Sequence, residues 1–280
     1  MEKLCFVGSV ADIGQNIKNA SDRRSVLKIA FWSSAYSHSC VTATMAAVSM
    51  AWAFSCEPRI AVTENHWNGF GVREMLGVPW SFCNAQKRSN RYFYGETVYN
   101  RAIERLSKEI IFLENKLRYV PIQTEPFFRV LFETVEEAAD CPCEQDEVLM
   151  IDTAFSSMST QVILQEADLV AVVLTQEEYG IERFLEEYHS LLPKAVFIIG
   201  NYRKTSHWNV DYLEKHYHLP KEKIGMIPWN EEYAQAMREG RTIEFFTRYF
   251  NCNRNHVNYN FMKESKKAAA MLCRKVMERS

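Results

Sequence analysis

From residue 27 onward, short apolar runs alternate with segments whose apolar residues recur every three or four positions. LKIAFW at 27–32 predicts a buried strand, and VTATMAAVSMAWAF at 41–54 predicts a helix packed on a sheet. A second strand is predicted over 58–63, with Glu64 at its end. The stretch after it, rich in Gly and Asn, predicts a loop with a short helical turn. Val98, Ile103, Leu106, Ile110, Leu113 and Leu117 fall at helical spacing, so 96–116 predicts a long helix, followed by a strand at 117–122 and a helix at 125–139. VLMI at 148–151 is a buried strand closing on Asp152. The alternation then becomes regular. Strands are predicted at 169–174, 195–199 and 224–227, and helices at 157–166, 178–191, 209–217, 231–239 and 243–250.

Strands of four to six apolar residues separated by helices imply a doubly wound α/β fold, a mainly parallel sheet with helices on both faces. Ligands bind such sheets at the carboxyl ends of the strands. The 33–44 segment, Glu64, Asp152 and Asn201 all follow predicted strands, so all four are expected at that edge. The pattern divides the chain into an N-terminal extension (1–26), one domain (27–250) and a C-terminal helical segment (251–280).

With 280 residues, 47% of them hydrophobic, one large core is expected. A formal charge of -2 supplies no global basic field for nucleic acid. The absence of a long apolar stretch or a basic leader predicts a soluble, cytoplasmic protein. The eight cysteines form no CxxC pair, which favours reduced thiols. Cys141 and Cys143, without a nearby His or a second pair, do not make a tetrahedral metal site.

Strand, tight loop and helix N-terminus in that order aim backbone N–H groups and the positive helix end at an anion. The loop that usually does this for nucleotides, GxxxxGK[ST], needs glycine where the backbone approaches phosphate, lysine for the charge and a hydroxyl for magnesium. FWSSAYSHSCVTAT at 31–44 keeps only hydroxyls. Asp152 reads either as a site carboxylate or as a cap for the helix that follows, and Glu64 either as a switch-like acid or as an exposed loop carboxylate. His66 with Trp67, and His207 with Trp208, are placed on loops after strands. Phe261, Ser265, Ala268, Leu272 and Val276 share one face of a C-terminal helix whose basic residues lie mostly elsewhere. That helix is expected to dock on the domain, with membrane or nucleic-acid contact as the alternative.

Three segments carry a family resemblance: VLMIDTAFSSMSTQVILQEADLVAVVLTQE, AVFIIGNYRKTSH and KIGMIPWNEEYAQAMREGRTIEFF. Over roughly residues 27 to 250 the chain resembles the MinD/ParA-like ATPases, the deviant Walker group of P-loop NTPases. The resemblance implies that Asp152 matches the aspartate supporting magnesium, that Asn201 stands where relatives read adenine, and that Pro228 belongs to the nucleotide site. Glu64 takes the place of a switch aspartate. Laid on KGGxGK[ST], His38 falls at the deviant lysine, Ser39 and Cys40 at two glycines, Val41 is unchanged, and Thr42, Ala43 and Thr44 fall on glycine, lysine and the magnesium hydroxyl. A register pairing Ser39 with lysine and Cys40 with the hydroxyl also fits, and it too lacks the lysine. The implied cofactors are ATP and Mg2+, bound weakly, with Thr44 and Asp152 as metal residues. The implied partners are a second copy in a homodimer and a protein of a positioning or assembly system. The loss of glycines and lysines implies a non-hydrolysing scaffold or regulator, because charge stabilisation dominates catalysis of phosphoryl transfer. A slow, unorthodox Mg-ATPase is the alternative.

Overall fold

A computed structural model describes residues 27–35, 40–56, 58–65, 71–77, 117–119, 148–153 and 158–279. The readings of the extension at 1–26, of His38, Ser39, His66 and Trp67, of the helices at 96–116 and 125–139, and of Cys141 and Cys143 lie outside these residues.

Seven strands form one sheet: β1 (Leu27–Trp32), β2 (Ile60–Glu64), β3 (Leu117–Tyr119), β4 (Val148–Asp152), β5 (Leu169–Leu174), β6 (Ala195–Tyr202) and β7 (Ile224–Pro228). Their order is β3-β2-β4-β1-β5-β6-β7, and every pairing is parallel. Burial on both faces explains why the central strands read as unbroken apolar runs rather than alternating ones. The helices are α1 (Val41–Ser55), α2 (Val72–Leu76), α3 (Met158–Glu166), α4 (Glu178–Glu187), α5 (Val210–Tyr217), α6 (Glu231–Arg238), α7 (Thr242–Tyr249) and α8 (Tyr259–Met277).

Two apolar layers sandwich the sheet. Ile29, Phe31, Met150, Val173 and Ile198 face α1, α7 and α8, whereas Ala30, Trp32, Ile151, Val172 and Phe197 face α3, α4 and α5. α1 is buried nearly all round, from Thr44 through Ala53, which marks it as a core element rather than a surface arm. α8 lies across α1 and β7 with Phe261, Met262, Ala268, Ala269, Met271, Leu272 and Val276 buried. Its docking is close: a Cβ on Gly225 of β7 would stand 3.2 Å from the Cβ of Ala268. The apolar face that a membrane reading requires is therefore occupied by the sheet. Among the described residues no helix is long and apolar enough to cross a membrane.

Two boundaries differ from the pattern. The helix predicted over 178–191 ends at Glu187, and a 3-10 segment, His189–Lys194, containing Pro193, leads into β6. β6 runs past Gly200 to Tyr202, where pattern reading stops at 199 because glycine usually weakens a strand.

Tyr233 of α6 is 4% exposed, and its hydroxyl donates to the carbonyl of Ala43 in the first turn of α1 at 2.7 Å. Burial pushes this phenol well above its ordinary value. The unfolded chain ionises near the ordinary phenol pKa and the folded chain does not, so the stability contribution is full below about pH 10 and falls above it. The expected slope from Tyr233 is a loss of about 1.4 kcal/mol per pH unit. Denaturant titrations across that alkaline range check this, and Tyr233→Phe should flatten the decline.

Candidate functional site

The carboxyl edge of the sheet is built around β1, where the chain order reverses. β1 is flanked by β4 and β5, and α1 begins after the loop that follows it. Ser34 Oγ donates to the carbonyl of Gly180 at 2.5 Å, and Arg183 reaches the carbonyl of Ser34 at 3.4 Å while pairing with Glu187 at 3.0 Å. The backbone N–H and the hydroxyl of Thr153 both donate to the carbonyl of Phe31, at 3.0 and 2.7 Å. These bonds tie the exit of β1 to α4 and to the exit of β4.

Four of the residues laid on the phosphate loop, Val41 to Thr44, form the first turn of α1, and Cys40 is its N-cap. Cys40 holds a left-handed backbone, φ 55° and ψ 29°, the conformation for which glycine is the usual choice. A non-glycine residue there costs about 1 kcal/mol or more. Asn201 at the end of β6 is also left-handed, with φ 48°, and its amide donates to the Cys40 sulfur at 2.6 Å. Burial pushes the Cys40 thiol up, and the Asn201 hydrogen bond pulls it the other way. The N–H of Thr44 donates to the carbonyl of Cys40 at 2.8 Å, closing the first helical turn.

Gly200 explains how these groups meet. A Cβ added there would stand 2.9 Å from Thr44 Oγ1, 3.4 Å from Val173 Cγ1 and 3.5 Å from Cys40 Cβ. The N-terminal turn of α1 thus rests on β6 and β5, with the Thr44 hydroxyl buried against Gly200. Pro228 pairs with Tyr202, and the N–H of Trp229 donates to the carbonyl of Tyr202 at 3.0 Å. The structure therefore brings Cys40, Thr44, Asn201 and Pro228 to neighbouring positions at one end of the edge.

Asp152 and Glu64 stand on the other side of β1. They are register partners across β4 and β2, and Asp152 also pairs with Phe31, which places both acids on the α1 side of the sheet. Asp152 is fully buried. The Glu64 carboxylate accepts the N–H of Val72 at 2.8 Å at the start of α2, and a Cβ on Gly71 would lie 1.8 Å from its Oε2. Glu64 acts as a helix-terminus cap whose approach depends on the missing side chain at Gly71.

Sequence reasoning missed Gln176, which follows β5. Its side-chain amide donates to the carbonyls of Arg203 and Trp208 at 3.1 and 2.8 Å and accepts from the N–H of Arg203 at 2.5 Å, pinning the loop after β6. Trp208 packs edge-on against Tyr212 at 4.7 Å. Among the described residues no group of three or more His, Cys, Asp or Glu residues is placed to hold a metal.

Seven parallel strands, a helix that starts after the loop following β1 and an acid at the end of β4 define a doubly wound α/β protein. No family model matches the sequence, and no curated protein matches it. Solved structures do, and the fold is that of the MinD/ParA-like ATPases. MinD in the MinC:MinD cell division complex of Aquifex aeolicus matches with a TM-score of 0.58 at 14% identity, over 91% of this chain and 97% of that one. MinD of Pyrococcus horikoshii OT3, complexed with Mg-ADP, matches at 0.57 and 13% identity over 88% and 96%. A plasmid partition protein of Borrelia burgdorferi B31, described as putative and bound to AMPPNP, matches at 0.55 and 14% identity over 90% and 100%.

Proposed function

We propose that this chain is a non-hydrolysing protein of MinD/ParA-like fold that works through interaction, as a dimerising scaffold or regulator of a positioning or assembly system. The observation that carries the reading is the separation of Thr44, beside β6, from Asp152 and Glu64 at the ends of β4 and β2. Thr44 turns its hydroxyl to Gly200 on β6, Asp152 ends β4, and Glu64 is engaged at the start of α2. β4 and β6 are separated by β1 and β5, three strand spacings or about 14 Å. A magnesium ion takes its oxygen ligands at about 2.0–2.1 Å, so a site joining Thr44 and Asp152 would have to bridge across β1 and β5. This spread argues against tight binding of Mg2+ by these residues, and no catalytic step is routed through it.

The phosphate side points the same way. α1 and its N-cap contain no lysine or arginine. The helix end alone attracts an anion by roughly 0.3–1 kcal/mol at an exposed site. That supports ATP or ADP binding on the order of millimolar or weaker. The solved relatives bound to Mg-ADP and AMPPNP keep nucleotide binding a property of the fold, and MinD bound to MinC supports a protein partner.

The test is turnover. Phosphate release from Mg-ATP by the purified chain should equal that of an Asp152→Ala control. Release well above the control, at one or more turnovers per minute, would instead favour the unorthodox ATPase.

A further inference from the structure

We propose that His256 is a proton-operated latch on the start of α8, closed by the neutral imidazole and opened when the ring takes up a proton. The latch lies in the loop between α7 and α8 and does not rest on the nucleotide reading. Asn258, the N-cap residue of α8, is fully buried. Its backbone N–H donates to His256 Nδ1 at 3.1 Å. A ring nitrogen accepts a hydrogen bond only when it carries no proton, and in the imidazolium both nitrogens are donors. This contact therefore exists for the neutral ring alone.

Three elements meet at this point. The side-chain amide of Asn258 donates to Glu232 of α6 at 2.7 Å, and its side-chain carbonyl accepts from Asn230 at 2.8 Å. Asn230 in turn accepts the N–H of Tyr233 at 2.7 Å and so caps α6. The His256 ring packs on Tyr249, the last residue of α7, with centroids 4.9 Å apart. Trp229 precedes Asn230 and Val257 precedes Asn258, and both are exposed. The bond between Asn230 and Asn258 thus fixes two exposed apolar side chains at the carboxyl edge, next to Pro228.

The charges around the ring set the direction of the effect. Glu231 and Glu232 come from α6, Arg248 and Tyr249 from α7 and Arg254 from the same loop, while the first turn of α8, YNFM, brings no carboxylate and no cation. Burial pushes the Glu232 carboxyl up, but hydrogen bonds from Tyr249 and Asn258 and the charges of His256 and Arg248 hold it below its ordinary value. Glu232 therefore stays ionised over the range of about pH 5–8 in which histidine side chains change charge. A proton on Nδ1 would face the Asn258 N–H, donor against donor, so the ring must turn to find an acceptor. The carboxylate whose charge it feels is Glu232, and drawing Glu232 to the ring competes with the Asn258 amide. The closed joint accepts only the neutral ring and the open joint accepts either form, so closure holds at higher pH and weakens as pH falls. One proton thereby loosens the joined starts of α6 and α8.

The experiment is backbone hydrogen exchange on the full chain, read by mass spectrometry at about pH 7.5 and about pH 5.5 and corrected for the intrinsic effect of pH on exchange. Protection of the amides of 258–262 should fall about tenfold or more on acidification, while that of β5 holds. His256→Asn supplies an amide oxygen that accepts the same N–H two residues on and does not titrate, so it should stay protected at both values. His256→Phe removes the acceptor and should be weakly protected at both. If His256→Phe folds poorly, the comparison of the native chain with His256→Asn decides. Equal protection at both values in the native chain, or the same fall in His256→Asn, would overturn the proposal. A fall that extends to β5 would mean general loss of structure rather than a latch, and it overturns the proposal as well.

Discussion

A chain ending before Tyr259 should fail to fold. α8 buries Phe261, Met262, Met271, Leu272 and Val276 against α1 and β7. Burying each such side chain contributes roughly 1.5–3 kcal/mol, so the five together contribute on the order of 10 kcal/mol. That is comparable to the entire stability of a typical domain, about 5–15 kcal/mol. The loss also strips the cover from α1, whose apolar surface would face water. Circular dichroism of the truncated chain should show no cooperative melting transition, and the protein should partition into aggregates. Charge reversal at the exposed Lys263 and Arg274 should leave a single cooperative transition, since surface changes of this kind typically shift stability by about 0.5 kcal/mol. A soluble truncated chain that unfolds cooperatively would show that α8 is an appended arm. The same reasoning makes truncation an unsuitable probe of nucleic-acid binding by this helix, whereas the charge reversals isolate it.

The second large effect is expected at Trp52. Its side chain is fully buried in α1, and the indole N–H donates to the carbonyl of Pro58 at 2.8 Å, joining the end of α1 to the lead-in of β2. Trp52→Ala should cost roughly 3–5 kcal/mol for the lost packing. A further 1–3 kcal/mol or so follows if the Pro58 carbonyl stays buried without a partner. At about 2–4 °C per kcal/mol the melting temperature should drop by about 10 °C or more. Trp52→Phe keeps most of the ring packing and should cost much less. Equal melting temperatures for the native chain and Trp52→Ala would place α1 outside the core.

The architecture was legible because its strands are buried on both faces. LVAVVL and AVFII have no polar interruption, and helical spacing fills the gaps between strands. Asp152 and Glu64 were found at strand ends, where the pattern placed them. What Glu64 does there was not legible, because its bond to the N–H of Val72 depends on how closely Gly71 approaches in space. Asn201 and Cys40 are 161 positions apart, and a single hydrogen bond across that distance leaves no periodic trace. The Tyr233 bond to Ala43 spans 190 positions and is hidden for the same reason. Gly200 was misleading as a strand ending, since glycine weakens most strands. Here it is the position that lets Thr44 and Cys40 approach β6. The lack of glycine and lysine over 38–44 was visible as composition, but the placing of the Thr44 hydroxyl against Gly200 follows from where α1 settles on the sheet.

The proposal of a non-hydrolysing protein is tested most directly by calorimetry of Mg-ATP and Mg-ADP with the native chain, beside a variant carrying Ser39→Gly, Cys40→Gly, Thr42→Gly and Ala43→Lys. The expected result is no measurable heat of binding for the native chain below millimolar nucleotide and tighter binding by the variant. Micromolar binding by the native chain, weakened by Asp152→Ala, would contradict the proposal of a non-hydrolysing protein with dispersed magnesium groups.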